Sequence, residues 1–296
     1  FGGVSFPSCF RKDMLWQSFG SWQFVCPRFL FSSDESGCWL KCHFLYRQSE
    51  SLEVVKKKMM MDWDCLEAIS YMDRVSDIDF SKGFFNPSFD DWKEGVSYVQ
   101  QLMAEERLKK VVLARKVSVS CAKSFSPFRL LKDIYQEKSF RFGFQMGDGA
   151  TFFGVSPEQL YRVEDRVCVS EAIAGTSCSG DSQDLLSNRK QLAEHGFVKD
   201  VVFDQLRNCC EDVTFDQECQ VLKLAGLQHL IKRFKGNLKQ GVADWQILDK
   251  LYPTPAVLGV PSPVALEVIR HCEGFDRGWY SGLVGTVGLT GSEFAV

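Results

Sequence analysis

Behind Ser88 apolar residues recur at helical spacing, with Trp92, Val96, Val99 and Met103 at steps of four, three and four. Ser88 can cap a helix and Asp90 and Asp91 place acids in its first turn, so the pattern predicts an amphipathic helix ending near Arg107. The period then changes to two. Between Lys110 and Ser120, Val111, Leu113, Val117 and Val119 share one face and Lys110, Val112, Ala114 and Lys116 the other, which predicts a strand. Ser126-Pro127 opens a short helix through Leu130, Leu131 and Ile134. Phe140, Phe142, Phe144 and Met146 alternate up to Gly147-Asp148-Gly149, and Thr151 to Val155 return as the second arm of a hairpin. Another hairpin begins after Ser156-Pro157-Glu158 and turns near Glu164-Asp165.

Residues 182–206 read as one helix with Leu186, Phe197, Val198, Val201 and Val202 as its apolar stripe, residues 220–234 as a further helix, and residues 262–270 as a shorter one. Gly282, Gly285, Gly288 and Gly291, with Val284 and Val287 between them, mark a hairpin in which backbones approach closely. Upstream, the Trp-, Phe- and Cys-rich stretch 20–46, broken by Ser32-Ser33-Asp34-Glu35-Ser36-Gly37, reads as strands joined by a hairpin. Hairpins separated by helices, without regular strand-helix alternation, predict an α+β fold. No linker divides the chain.

The 296 residues are 45% hydrophobic and 25% charged, enough for a large core and too apolar for disorder. Thirty-five Lys and Arg against 38 Asp and Glu leave no positive field for a nucleic acid, and no run approaches the ~18 apolar residues of a membrane span. Lys56-Lys57-Lys58 before Met59-Met60-Met61 reads as a solvated helix face. The 12 cysteines include no Cys-x-x-Cys pair and sit among apolar residues, as Cys168 does between Val167 and Val169, so reduced thiols and a cytoplasmic location are expected. His271-Cys272-Glu273 lacks the second half of a zinc-deaminase signature. Phosphate-binding glycine loops, the Gly-x-Ser-x-Gly elbow and His-Glu-x-x-His are absent.

Two charged residues fall beside apolar faces. Glu194 lies four and seven residues before Val198 and Val201, so its carboxylate is either buried with a cation or reaches solvent at the stripe's edge. Lys110 either flanks the end of its strand in water or projects inward.

A set of ordered motifs adds an identity to this pattern. Lys110-Val111-Val112-Leu113-Ala114-Arg115, Gly154-Val155-Ser156-Pro157-Glu158, Glu171-Ala172-Ile173-Ala174-Gly175-Thr176, Glu194-His195, Leu227-Gln228-His229-Leu230, Pro253-Thr254-Pro255-Ala256-Val257 and Phe275-Asp276-Arg277-Gly278-Trp279-Tyr280-Ser281-Gly282 stand in the order found in the chorismate-utilising enzymes. The chain resembles isochorismate synthases most closely from about Asp91 to Val296, and Phe1-Gly2-Gly3 resembles a segment nearer the family's N-terminus. The resemblance implies one large domain of two packed antiparallel sheets with helices outside, of which residues 1–90 form a strand-rich N-terminal part and residues 91–296 the chorismate-binding catalytic region.

By the same resemblance, Lys110 matches a base that activates water for attack on C2 of chorismate, and Glu158 an acid that protonates the departing C4 hydroxyl. Glu194 matches one carboxylate of a Mg²⁺ site. Ala174, Gly175 and Thr176 match a turn that contacts the substrate carboxylate, while Tyr280 and Gly282 belong to the segment that binds the pyruvyl side chain. Anthranilate synthases, which use ammonia, carry Gln where Lys110 stands, so hydration is favoured and no glutaminase subunit is expected. The product would feed menaquinone or siderophore synthesis; salicylate synthesis and an inactive chorismate-binding homologue are the alternatives. Tyr252 stands where the family has His. Glu293-Phe294-Ala295-Val296 is where family members continue toward an arginine and the remaining Mg²⁺ carboxylates, so the 296 residues alone are expected to be nearly inactive.

Overall fold

The computed structural model describes all residues except 8–12, 68–82, 123–124, 135–138, 179 and 181. The N-terminal part holds β1 (Gly2–Val4), β2 (Trp22–Phe24), the hairpin β3 (Phe29–Asp34) and β4 (Gly37–Cys42), and α1 (Leu52–Glu67), on which Lys56, Lys57 and Lys58 are exposed. After β5 (Phe84–Asn86), Ser88 caps α2 (Phe89–Ala104) by accepting the Asp91 amide at 3.2 Å. Next come β6 (Lys110–Val111), β7 (Lys116–Ser118), α3 (Pro127–Asp133), the hairpin β8 (Phe140–Gln145) and β9 (Thr151–Ser156), and the hairpin β10 (Gln159–Glu164) and β11 (Val167–Cys178). The chain continues through α4 (Ser182–Ser187), α5 (Arg189–Cys209), β12 (Cys210–Phe215), β13 (Gln220–Lys223), β14 (Leu227–Leu238), α6 (Asp244–Leu251), β15 (Gly259–Val260) and α7 (Ser262–Glu273). It closes with the hairpin β16 (Leu283–Val287) and β17 (Gly291–Ala295), whose glycines make the expected close approaches: a Cβ on Gly285 would meet the Glu293 carbonyl at 2.2 Å.

The fold is α+β, as expected. One antiparallel sheet of nine strands runs β12-β14-β11-β10-β17-β16-β1-β2, with β13 also on β14. The α5 residues Val198, Val202 and Leu206 and the α6 residues Ile247 and Leu251 pack with Leu160, Ala172, Phe234 and Phe294 of the sheet in the main core. Instead of a second broad sheet, the described residues form four two-stranded ribbons. One of them, β8–β9, lays Phe140, Phe142, Phe144 and Phe152 against Trp279 and Val284. A further core of Leu102, Leu108, Leu258, Ala265 and Ile269 joins α2 to α7.

Three expectations are corrected. Residues 220–234 are strands, not a helix: β14 is buried along most of its length, with Leu230, Ile231, Lys232 and Phe234 all inside, so the two-residue period that would have announced it is erased. Residues 182–206 are two helices, because the Asn188 side chain takes the Gln191 amide at 3.2 Å and starts α5 afresh. The strand expected over 110–120 survives only as β6 and β7. Between them only the Val112 amide continues main-chain bonding, to the Leu258 carbonyl at 3.0 Å; beyond it side chains take over, Glu273 accepting the Ala114 amide at 2.7 Å and the Arg277 guanidinium donating to the Val112 carbonyl at 2.6 Å.

Glu273 and Arg277, four residues apart at the end of α7, are both buried and paired through two hydrogen bonds, that from Arg277 Nε measuring 2.8 Å. The same guanidinium donates to the Val257 carbonyl at 3.0 Å and lies 4.4 Å from the centre of the Phe6 ring. One ion pair therefore ties together the segment after β6, the loop before β15, the end of α7 and the N-terminal segment. Removing one partner leaves a buried charge without its counter-ion, which costs about 3–5 kcal/mol. Arg277→Met should lower unfolding stability by that amount in a denaturant titration, and a loss under 1 kcal/mol would show that the pair does not hold this junction.

Candidate active site

β6 pairs with β15, placing Val260 opposite Lys110, and the loop before β15 passes over the Lys110 side chain. Lys110 projects inward and is 8% exposed, its Nζ donating to the Pro255 carbonyl at 2.8 Å. Its second partner is Glu194 Oε1, at 3.5 Å. Glu194 lies on α5 at the edge of the buried stripe, with its side chain 38% exposed, so solvent reaches one side of this pair. Burial pulls the Lys110 ammonium below its ordinary range, against the opposing pull of the Glu194 and Glu158 carboxylates.

Glu158 sits in the bend before β10. Its amide donates to Ser156 Oγ at 3.1 Å and its carbonyl accepts the Val296 amide at 3.1 Å, so β9, β10 and the end of β17 all fix its position. Burial pushes its carboxyl up to about 7; Lys110 opposes this and the Glu171 carboxylate adds to it. Glu171 is held by Arg233 Nε at 3.1 Å. The structure thus brings Lys110, Glu158 and Glu194 into one electrostatic unit, in which burial moves an amine and a carboxyl toward neutral pH from opposite sides.

The bend at Ala174, Gly175 and Thr176 is a break in the β11–β14 register, where Ala174 pairs with Leu230 and Thr176 with His229. Gly175 has φ +80° and a Cβ there would lie 2.8 Å from the Gln191 carbonyl, so only glycine fits between β11 and the first turn of α5. The Thr176 amide donates to Gln191 Oε1 at 2.9 Å, and Thr176 Oγ1 and His229 Nδ1 are 2.9 Å apart. Gln191 precedes Glu194 by one turn, so the bend and Glu194 move as one body. Gln228 donates to Ser177 Oγ at 3.0 Å, which gives the Leu227-Gln228-His229-Leu230 motif a physical role as the brace of this bend.

The 277–282 turn is connected less directly. Tyr252 Oη donates to the Ser281 carbonyl at 2.9 Å, and burial pushes the phenol's pKa up, so it remains a neutral donor where the family has an imidazole. Tyr280 is half exposed. Gly282 is buried, with the Val4 carbonyl 2.3 Å from where a Cβ would stand, so it admits β1 to the sheet. Neither residue touches Lys110, Glu158 or Glu194 among the described hydrogen bonds and ion pairs.

Several participants escaped the sequence reading. His195, next to Glu194, is 4% exposed; burial pushes its imidazole down to about 4, and both ring nitrogens lack a hydrogen-bond partner among the described residues. Thr254 is also buried, and its hydroxyl lacks a partner among them. Polar residues on buried positions break apolar periodicity and so leave no signal in it. The Glu273 and Arg277 spacing of four was visible, but nothing local shows that such a pair is internal. Glu273 is committed to Arg277, which removes it from the truncated deaminase-like signature.

The sequence resemblance assigns Glu194 to a metal site. Among the described residues no three His, Cys, Asp or Glu side chains form a cage. One half-exposed carboxylate fits Mg²⁺ only as a ligand shared with substrate oxygens and water.

The family model described as "Chorismate binding enzyme" matches residues 1–296. The isochorismate synthase MenF of Bacillus subtilis is 26% identical over 323 residues, covering 100% of this chain and 64% of that protein. The chloroplastic isochorismate synthase of Catharanthus roseus is 29% identical over 312 residues, covering 100% of this chain and 54% of that protein. The chain therefore spans between 54% and 64% of the length of these two curated relatives. Among solved structures, the menaquinone-specific isochorismate synthase MenF of Escherichia coli has a TM-score of 0.78 at 22% identity, covering 100% of this chain and 68% of that one. Component I of anthranilate synthase from Streptococcus pneumoniae has a TM-score of 0.70 at 22% identity, covering 84% and 58%, so the fold is common to both kinds of enzyme. With its full length, residues 1–296, matched by the family model, the chain belongs to the chorismate-binding enzymes.

Proposed function

We propose that this chain carries the reaction site of an isochorismate synthase, in which Lys110 and Glu158 move the two protons of an allylic hydration. The observation that carries this reading is the opposed displacement of the two groups: burial lowers the Lys110 ammonium and raises the Glu158 carboxyl to about 7. An amine that can be neutral takes a proton from water as its oxygen bonds to C2 of chorismate, and a carboxyl that still holds its proton gives it to the C4 hydroxyl. That hydroxyl leaves as water while the double bonds shift, so one water enters and one departs. A lysine at this position suits activation of water, and the relatives' names agree with that product.

The substrate carboxylate would lie at the Ala174-Gly175-Thr176 bend, at the register break of β11 on β14, with Tyr280 toward the pyruvyl group. Glu194 would supply one oxygen to Mg²⁺, and the ion's charge would offset that of the substrate carboxylate. Chorismate is the proposed small-molecule partner, and the product would serve menaquinone or siderophore synthesis.

Incubating the encoded protein with chorismate and Mg²⁺ should yield isochorismate; unchanged chorismate would refute this reading, and salicylate plus pyruvate would replace it with salicylate synthesis. Lys110→Ala and Glu158→Gln should each lower kcat about 10²- to 10⁴-fold with the fold intact, since each removes a proton-transfer partner. Near-normal turnover in either would reject its role. Glu194→Ala should abolish the stimulation of turnover by Mg²⁺, and an unchanged Mg²⁺ titration would exclude Glu194 as a ligand. Because the Glu158 carboxyl titrates near 7 rather than near 4.5, its acid form disappears as pH rises through neutrality. The kcat/KM profile should contain a limb near pH 7, and its absence would exclude Glu158 as the acid.

A further inference from the structure

One side chain after α6 reaches two separate parts of the site. Tyr252 ends that helix, its amide donating to the Leu248 carbonyl at 3.0 Å, and its partly buried ring packs against both the main core and the core that joins α2 to α7. Three residues later the Pro255 carbonyl receives Lys110 Nζ at 2.8 Å. In the other direction the Tyr252 hydroxyl donates to the Ser281 carbonyl at 2.9 Å. Ser281 has φ +56°, a left-handed conformation that costs a non-glycine residue free energy and persists where its surroundings hold it. Residues 278–282 otherwise bond locally or to the N-terminal segment: the Tyr280 amide donates to the Arg277 carbonyl at 3.0 Å, the Gly282 amide to the Trp279 carbonyl at 2.9 Å, and the Phe6 amide to the Gly278 carbonyl at 2.7 Å. Among the described hydrogen bonds, that of the phenol is the one that ties residues 280–282 to the 252–255 segment. Tyr280, next to Ser281, needs such support. Its side chain is half exposed and no described hydrogen bond holds its hydroxyl, so its place follows from the backbone that carries it.

We propose that Tyr252 is a positioning residue for substrate binding, its bond to Ser281 fixing the turn so that Tyr280 presents its hydroxyl to the pyruvyl group of chorismate at a set distance from the loop over Lys110. The inference rests on Tyr280 serving the pyruvyl group. No proton leaves Tyr252: the Ser281 carbonyl can only accept, so the phenol's proton is committed to it. Fixing a donor before the ligand arrives removes part of the ordering cost of binding. Chorismate and its transition state both carry the pyruvyl group, so the gain is common to the two and belongs in KM rather than in kcat.

The test is a double-mutant cycle in the encoded protein between Tyr252→Phe, which keeps the packed ring and removes the hydroxyl, and Tyr280→Phe. Binding is read by calorimetry with chorismate and Mg²⁺ in a Lys110→Ala background, where the substrate is not consumed, and turnover is read with Lys110 intact. Tyr252→Phe should raise both Kd and KM for chorismate about 3- to 10-fold, the worth of one neutral hydrogen bond, and leave kcat within about twofold. In the Tyr280→Phe background the same change should move Kd by less than about twofold, because the hydroxyl that the turn presents is already gone. A merely structural role would give the same fold-change with and without the Tyr280 hydroxyl, and that result would overturn the proposal. So would an unmoved Kd, a loss confined to kcat, or a Tyr252→Phe protein that is unfolded at the assay temperature in a thermal melt. If chorismate binds with the stated coupling but the wild type forms no isochorismate, the proposed reaction fails and the role of Tyr252 stands; a wild type that does not bind chorismate overturns both.

Discussion

The buried pair of Glu273 and Arg277 is the constraint on which the rest of the site depends. A guanidinium removed from water needs its charge and most of its five donors satisfied. Here it uses Glu273 and the carbonyls of Val112 and Val257, while Glu273 also takes the Ala114 amide. Those backbone groups belong to the segment that follows Lys110 and to the loop that carries Thr254 and Pro255. The position of the lysine relative to its carbonyl partner is therefore set by the hydrogen-bonding demand of a side chain 167 residues later in the chain. Such a pair contributes little net stability, because desolvation offsets most of its attraction, but it admits few alternative packings of the segments around it.

Within that frame, placement and burial act on both ionisable groups together. Lys110 is buried beneath the 253–255 loop and Glu158 is partly buried, so desolvation lowers one group and raises the other. Each also moderates the other through their mutual attraction. Glu171 opposes the effect of Lys110 on Glu158, and Arg233 holds the Glu171 carboxylate at 3.1 Å. On the opposite side the register break at Gly175 leans on α5 one turn before Glu194, so the 174–176 bend and Glu194 share one support.

Much was legible locally. The capped helix after Ser88, the hairpins over 140–155 and 159–178, and the glycine-marked hairpin that closes the chain all follow from period, capping and turn chemistry, which act between near neighbours. The α+β class follows from their order, and the ordered motifs point to the family. No described helix is long and apolar enough to cross a membrane. What local pattern misread was burial on two sides: β13 and β14 carry apolar residues on both faces and so imitate a helix.

Tertiary structure alone decided which way the ambiguous charges point. Periodicity left Lys110 free to face water or the interior and Glu194 free to be buried or at an edge. Lys110 faces inward because a loop from 145 residues later covers it and supplies a carbonyl, and Glu194 stays at the rim, 3.5 Å from the lysine it partly neutralises. The same holds for Thr254 and His195, whose buried polar atoms no spacing rule identifies. Elements are determined by interactions a few residues long, which the sequence displays directly. Protonation states and unpaired buried groups are determined by desolvation and by charges brought together across the fold, and these exist only once the distant segments have packed.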